Sequence, residues 1–306
     1  MKQSVFEEIR EQLSRGMTAE AVFEADGQSW RRRWMPRERL ILLGGGHIAQ
    51  PLCQMGALLD FSVTVLDDRP AFANHLRFPQ AEAVYCNGFR EGLESIRPGA
   101  GDYVCVITRG HRYDGECLRQ ILKGEMPAYL GMIGSRRRVA GMMEELREEG
   151  YDQERLAQIC APIGLPIGGQ TTAEIAVSIA AQLVEYRTKN RKKDGGAVCL
   201  PQVNVDEAVL KALAEGGGLR TMALIVETKG STPAKAGAMM AVDAIGRTIG
   251  TIGGGCGEAE VIGQARLMAG KEQKKLVTVN MTNEVAEEEG MVCGGVMTVL
   301  LESVSG

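Results

Sequence analysis

Between residues 40 and 189, short apolar runs alternate with longer stretches of helical period. The apolar runs fall at 40–43, 62–66, 83–86, 103–107 and 128–133, and the helical segments at 47–59, 114–123, 136–149 and 172–189. Strands and helices alternating at this spacing predict βαβ units, because neighbouring parallel strands need a long crossover to bring the chain back to the same edge. Thr171 followed three residues later by Glu174 has the form of a capping box and marks a helix start. The polar stretch KNRKKDGG at 189–196 breaks the alternation and reads as a linker. Beyond it the pattern predicts helices at 206–215 and 257–269 and strands at 221–227, 237–242, 247–251, 275–280 and 296–303. Asp243-Ala244-Ile245-Gly246 supplies a hairpin turn between two of those strands. At the other end, residues 4–15 read as a short helix. The Trp- and Arg-rich stretch 28–39 shows no period and reads as a lead-in packed on the edge of the next domain.

Composition narrows the class. The chain has 306 residues, 44% hydrophobic and 24% charged, enough apolar material for two ordinary cores. Its net charge of −4 gives no global basic field, so neither nucleic acid nor an anionic membrane is the expected partner. No window approaches the ~18 apolar residues of a membrane helix, and MKQSVFEEIREQLSRG is an amphipathic start and not a signal peptide. A cytoplasmic protein is expected. The eight cysteines include no CxxC pair, which in a reducing compartment predicts free thiols, most of them buried like Cys105 in YVCVI.

Gly44-Gly45-Gly46-His47-Ile48-Ala49 follows the strand at 40–43 and fits the GxGxxG/A pattern. Gly44 makes the tight turn, Gly46 lets the backbone approach a pyrophosphate, and Ala49 allows close helix packing. The helix start beyond it presents free N–H groups and a positive dipole end to phosphate. The next strand ends in Asp67-Asp68-Arg69, and Asp67 follows Gly44 by 23 residues, near the ~20 expected of a ribose-binding carboxylate. A carboxylate there favours NAD over NADP, although Arg69 can offset its repulsion of a 2′-phosphate. The alternative is a tight turn that binds nothing. The predicted fold is α/β, a Rossmann-type parallel-sheet domain at 39–190 followed, after a linker at 191–196, by a smaller α+β domain at 197–306, with 1–38 as helix and lead-in.

In such sheets ligands bind outside the carboxyl ends of the strands. Three loops fall there: Thr108-Arg109-Gly110-His111, Gly134-Ser135-Arg136-Arg137-Arg138 and Pro162-Ile163-Gly164-Leu165. Ser135 is placed to cap a helix beginning at Arg136, so N–H donors stand beside guanidinium groups, a combination suited to phosphate. A solvated helix face is the alternative for these arginines, and His111 is either a structural histidine or a proton shuttle.

In the second domain, Ile252-Gly253-Gly254-Gly255-Cys256-Gly257-Glu258 leads from a strand into a helix. A thiol at a helix N-terminus has a lowered pKa, which makes Cys256 a candidate thiolate, with Glu258 binding a donor or moving a proton. Cys293 in Gly290-Met291-Val292-Cys293-Gly294-Gly295 also adjoins glycines, and Thr228-Lys229-Gly230-Ser231-Thr232-Pro233 is a third small-residue turn. The three can meet around one pocket or stand as separate tight turns with incidental thiols.

From about Arg39 to Val304 the sequence resembles the XdhC/CoxI family, the accessory factors of xanthine dehydrogenase and related molybdenum hydroxylases. The matching pieces are LGGGHIAQPL, VTVLDDRPAFA, VITRGHRYD, YLGMIGSRRR, APIGLPIGGQTTAEIAVSI, KGSTPAKAGAMM, GTIGGGCGEAE and GMVCGG. The family order places the cysteine-bearing domain first, and here it is second. The resemblance implies a maturation factor, more an accessory protein than a turnover enzyme. Such a factor holds the molybdenum cofactor (molybdopterin or its dinucleotide), supports its sulfuration and delivers it to an apo-hydroxylase. A cysteine desulfurase is a further implied partner, and a homodimer is the expectation for a cytosolic protein of this kind. Gly44, Gly46, His47, Asp67, Arg69, Arg109, His111, Ser135 and Arg136 are then the cofactor-binding set. Cys256, Glu258 and Cys293 act at the metal end, as soft thiolates suit a metal–sulfur centre. Two rivals stand beside this reading: an NAD-dependent oxidoreductase, and a nucleotide-sensing regulator without chemistry.

Overall fold

The computed structural model describes residues 1–193, 199–200, 207–215, 218, 220–281 and 295–305. In chain order the elements are α1 (Gln3–Ser14), β1 (Ala19–Ala25), β2 (Gln28–Trp34), β3 (Arg39–Leu43), α2 (Ala49–Leu58), β4 (Ser62–Asp67), β5 (Ala83–Cys86), α3 (Phe89–Ile96), β6 (Tyr103–Val106), α4 (His111–Ile121), β7 (Tyr129–Met132), α5 (Arg136–Glu148), α6 (Gln153–Leu156) and α7 (Thr172–Lys193). They continue as β8 (Cys199–Leu200), α8 (Glu207–Ala214), β9 (Arg220–Lys229), β10 (Met239–Asp243), β11 (Thr248–Gly250), α9 (Gly255–Met268), β12 (Lys274–Asn280) and β13 (Val296–Val304). The chain divides into two compact units, Arg37–Gly195 and Met1–Pro36 joined with Gly196–Gly306.

The Arg37–Gly195 unit is a five-stranded sheet in the order β5-β4-β3-β6-β7. Every pairing in it is parallel. Both faces are covered, which is why its strands read as continuous apolar runs. On one face Leu40 and Leu42 pack with Leu52 of α2 and Ile179 and Leu183 of α7. On the other Ile41 and Leu43 pack with Leu93 of α3, Leu118 of α4 and Met142 of α5. The chain starts at the central β3, runs out to β5 and returns to β6. The reversal between β3 and β6 opens a crevice at their carboxyl ends, where this architecture binds ligands. The predicted capping box closes α7: Glu174 N–H donates to Thr171 Oγ1 at 3.2 Å and Thr171 N–H to Glu174 Oε2 at 2.8 Å.

The other unit is built on an antiparallel sheet ordered β11-β10-β9-β13-β12. Along β9 successive side chains part to opposite faces. Ala223 and Ile225 pack with Val261 and Ala265 of α9. Met222 and Leu224 face Phe6 of α1, Phe23 of β1, Trp34 of β2 and Leu213 of α8. The turn at 243–246 is the expected hairpin, with Gly246 N–H on Asp243 O at 3.0 Å.

Three expectations need correction. Residues 28–39 are not a lead-in packed on the following domain. Gln28–Trp34 is strand β2, paired antiparallel with β1 from Ala19↔Trp34 to Ala25↔Gln28 and parallel with β8, and it belongs to the unit of residues 196–306. The overlooked signal was the alternation in Ala19–Ala25, buried at every second residue, followed by Asp26-Gly27. Both of these take positive φ, +49° and +75°, as a two-residue hairpin turn demands. The linker at 189–196 begins later than its polarity indicated, since α7 continues through Lys193. Helices α3 and α6 fall where no period was read.

Because Phe23 and Trp34 are fully buried in the core that covers one face of β9, Phe23→Ala should lower unfolding free energy by about 3–5 kcal/mol. A fragment of residues 197–306 without 1–36 should lose its cooperative denaturant transition. A fragment that unfolds as sharply as the whole unit would contradict this assignment.

Candidate functional site

The glycine turn is set by backbone contacts that no side chain can enter. Gly44 has φ +114°, and a Cβ there would lie 2.5 Å from Ile107 O at the end of β6. Gly45 is held on three sides. Its N–H donates to Asp67 Oδ2 at 2.9 Å, its carbonyl accepts from Arg77 Nε at 2.9 Å, and a Cβ would collide with Phe72 O. Gly46, by contrast, has open space around it. Among the described residues no protein group accepts from the N–H of Gly46 or His47. His47 is exposed, and α2 carries no side-chain cap. The open donors of the turn are therefore Gly46, His47 and the helix start.

Asp67 is only 1% exposed. Besides Gly45 N–H it accepts from Arg69 N–H at 3.0 Å, Arg69 Nε at 2.8 Å and Arg69 Nη2 at 2.9 Å. Arg69 in turn lies 3.7 Å over the Phe72 ring. The neighbouring Asp68 pairs bidentately with Arg109, Nη2 to Oδ2 at 2.8 Å. Those hydrogen bonds hold the Asp68 carboxyl below its usual range. Arg109 also stacks 3.9 Å over Tyr113.

Beyond β6, Thr108 and Asp114 form a buried joint that sequence reasoning missed. Thr108 Oγ1 donates to Asp114 Oδ1 at 2.5 Å, and Arg138 of α5 donates to the other oxygen. Asp114 is fully buried. Desolvation lifts its carboxyl above the usual range although Thr108 and Arg138 pull it down. The joint ties the loop after β6 to the start of α5. There Ser135 caps the helix as expected, accepting from Arg138 N–H at 3.3 Å. Arg136 and Arg137 are exposed and have no ion-pair partner among the described residues. His111 is half-buried. It opens α4 and meets Glu145 of α5 at 3.0 Å, a hydrogen bond that lowers the Glu145 carboxyl. A cavity of about 300 Å³ lined by Leu93, Arg97, Ile121 and Lys123 lies at the C-terminal ends of α3 and α4, the opposite edge of the sheet, and is no part of this site.

In the other unit the described parts of the small-residue turns touch one another. A Cβ on Gly253 would lie 2.7 Å from Pro233, and one on Gly295 would collide with Ser231 O. Gly257 packs on Val279 and Met297, and Met281 N–H donates to Gly295 O at 3.0 Å. Cys256 is the second residue of α9. Cys293 lies outside the described residues. Glu258 folds back on the turn: its Oε2 accepts from Thr251 Oγ1 at 2.6 Å, Ile252 N–H at 2.9 Å and Gly254 N–H at 3.0 Å. Desolvation raises its pKa, but these donors outweigh it and hold the carboxyl below its ordinary value. Glu258 is thus a fastener of the glycine turn. A carboxyl so stabilised in its charged form is a poor proton donor. Of the other cysteines, Cys53, Cys105 and Cys117 are free and buried as expected. Burial pushes their thiols up, Cys53 to about 11. Among the described residues no group of three metal-ligating side chains is assembled, and no helix is long and apolar enough to cross a membrane.

Residues 40–183 match the XdhC Rossmann domain and residues 207–280 match the XdhC and CoxI family. The chain belongs to the XdhC/CoxI family. Within it, this chain carries the Rossmann domain ahead of the other. It is 32% identical over 152 residues to the Escherichia coli K12 protein YqeB, described as uncharacterized, covering 49% of this chain and 28% of that protein. It is 28% identical over 167 residues to a probable xanthine dehydrogenase subunit from Bacillus subtilis 168, covering 55% and 48%. A crystal structure of a xanthine dehydrogenase from Bacillus halodurans matches with a TM-score of 0.49 at 26% identity, covering 57% of this chain and 50% of that one. The chain spans less than half the length of the curated relatives it matches.

Two substitutions test the geometry of this XdhC/CoxI chain. Glu258→Ala should cost about 1–2 kcal/mol at neutral pH, as the loss of a helix-start acceptor does. Because the folded carboxyl titrates below the ordinary 4.5, the stabilisation is complete above that value and fades as pH falls through the folded one. Denaturant midpoints of the variant and the wild type should converge in acid, and a pH-independent gap would refute the assignment. Gly45→Ala should displace Phe72 and destabilise by more than 1 kcal/mol, roughly the threshold for strain of this kind, in thermal unfolding of the whole chain.

Proposed function

We propose that the protein is an accessory factor for a molybdenum hydroxylase such as xanthine dehydrogenase, and that its cargo is the molybdenum cofactor. Membership of the XdhC/CoxI family carries the reading, and the name of the Bacillus subtilis relative agrees with it. The observation that supports it best in this chain is the convergence of the turns at 231–233, 252–258 and 295 on the start of α9, which bears Cys256. A thiol at a helix N-terminus is inclined to the thiolate form and is a soft ligand. Cys256, with Cys293, is the candidate group for the metal–sulfur end of the cargo, and sulfuration before delivery belongs to the same proposal.

In the Rossmann unit, cargo phosphate has two sets of donors. One is the N–H groups of Gly46 and His47 with the start of α2. The other is the Ser135-capped start of α5 with Arg136 and Arg137, which have no ion-pair partner among the described residues. Backbone amides and guanidinium groups around an open turn are the chemistry a phosphate needs. Both sets lie at the carboxyl edge of one sheet.

The test is to load the purified chain with molybdopterin and compare wild type with Cys256→Ala and Arg136→Ala/Arg137→Ala. The arginine variant should hold the cofactor about tenfold more weakly, the scale of one or two charge-assisted contacts. Cys256→Ala should retain binding but fail to activate apo-xanthine dehydrogenase. Equal activation by Cys256→Ala would remove that residue from the site.

A further inference from the structure

We propose that the glycine turn of the Rossmann unit recognises a phosphate group without reading a ribose, because the carboxylate that would read the sugar is fully committed to holding the turn. The inference rests on the phosphate-holding reading above and narrows its ligand class.

The carboxylate at the end of the second strand normally accepts from the ribose hydroxyls of a bound dinucleotide. A carboxylate offers about four lone-pair sites. At Asp67 four protein donors fill them: Gly45 N–H, Arg69 N–H, Arg69 Nε and Arg69 Nη2, all between 2.8 and 3.0 Å. The residue is 1% exposed, so a hydroxyl has neither a free oxygen nor a path to it. The loop after β4 closes the same side of the turn. The Phe72 carbonyl lies against Gly45, Arg77 Nε donates to Gly45 O, and the guanidinium groups of Arg69 and Arg77 stand 3.7 and 4.9 Å from the Phe72 ring. The adjacent carboxylate, Asp68, has both oxygens turned to Arg109.

What remains open is directed elsewhere. Among the described residues the N–H groups of Gly46 and His47 have no protein acceptor, and Arg136 and Arg137 project from the capped start of α5 without partners. These groups recognise charge and phosphate oxygens, and none is placed to distinguish a ribose from a deoxyribose. The ligand class is a phosphate or pyrophosphate ester whose organic part is not read as a nucleoside diol. An NAD-type dinucleotide loses the interaction on which its selection depends.

Calorimetry on the whole chain with inorganic pyrophosphate, AMP and 2′-deoxy-AMP decides the point. Pyrophosphate should bind, and AMP and 2′-deoxy-AMP should differ by less than about twofold. A hydroxyl accepted by a carboxylate would separate them by roughly tenfold or more. AMP binding tenfold tighter than 2′-deoxy-AMP would overturn this inference and leave the phosphate reading standing. Failure of all three to bind at millimolar concentration would overturn the phosphate reading and this one with it. Asp67→Asn should weaken pyrophosphate and AMP by the same factor, since it loosens the turn both use. A loss confined to AMP would show that Asp67 does read the sugar. The wild-type comparison decides the matter even if that variant fails to fold.

Discussion

Backbone pressed against backbone, with no room for a Cβ, is the constraint on which the candidate sites of both units depend. At Gly44 the chain leaving β3 touches the carbonyl at the end of β6, and this contact brings the first and fourth strands of the sheet in chain order to one crevice. The same device recurs in the other unit, where Gly295 meets the Ser231 carbonyl, and Gly253 is likewise pressed on the Pro233 ring. A methyl group at any of these places would overlap the opposing segment and force it to shift. Several glycines in these motifs therefore serve close approach between protein segments, whereas Gly46 and Gly254 face open space.

Carboxylates lock these contacts. Asp67 gathers the glycine turn and Arg69 into one buried joint. Glu258 gathers three donors ahead of α9, and Asp114 ties the loop after β6 to α5 through Arg138. In each case the acid satisfies donors that would otherwise be stranded at a turn or in the interior. The acids are thereby withdrawn from ligand chemistry, and the donors left over are amides and guanidinium groups. At the Rossmann crevice the groups without a partner among the described residues are thus N–H donors and the guanidinium groups of Arg136 and Arg137, in a chain whose net charge is −4.

Much of this was legible in the residues. The strand and helix rhythm from 40 to 189, the capping box at Thr171, the cap at Ser135 and the turn at Asp243 are local. Each depends on period or on groups within a few residues, and the folded chain keeps them. The hairpin of β1 and β2 was missed because Arg31, Arg32 and Arg33 mask its period, and because Arg32 is buried beside Trp34, 4.7 Å over its ring. A buried arginine does not follow the rule that charged residues face water. That the hairpin shares a core with residues 200–304 is a long-range packing fact.

The sequence by itself determined the fold class of both units, the glycine turns and the residue types gathered at them, because hydrophobic period and turn chemistry act over short distances in the chain. Tertiary structure alone decided the roles of the acids. Asp67 and Glu258 stand where a ligand or catalyst is expected, and Asp114 carries no such signal, yet a carboxylate is available only if its lone pairs are free. That depends on which donors the fold delivers, such as Arg138 to Asp114 from 24 residues along the chain.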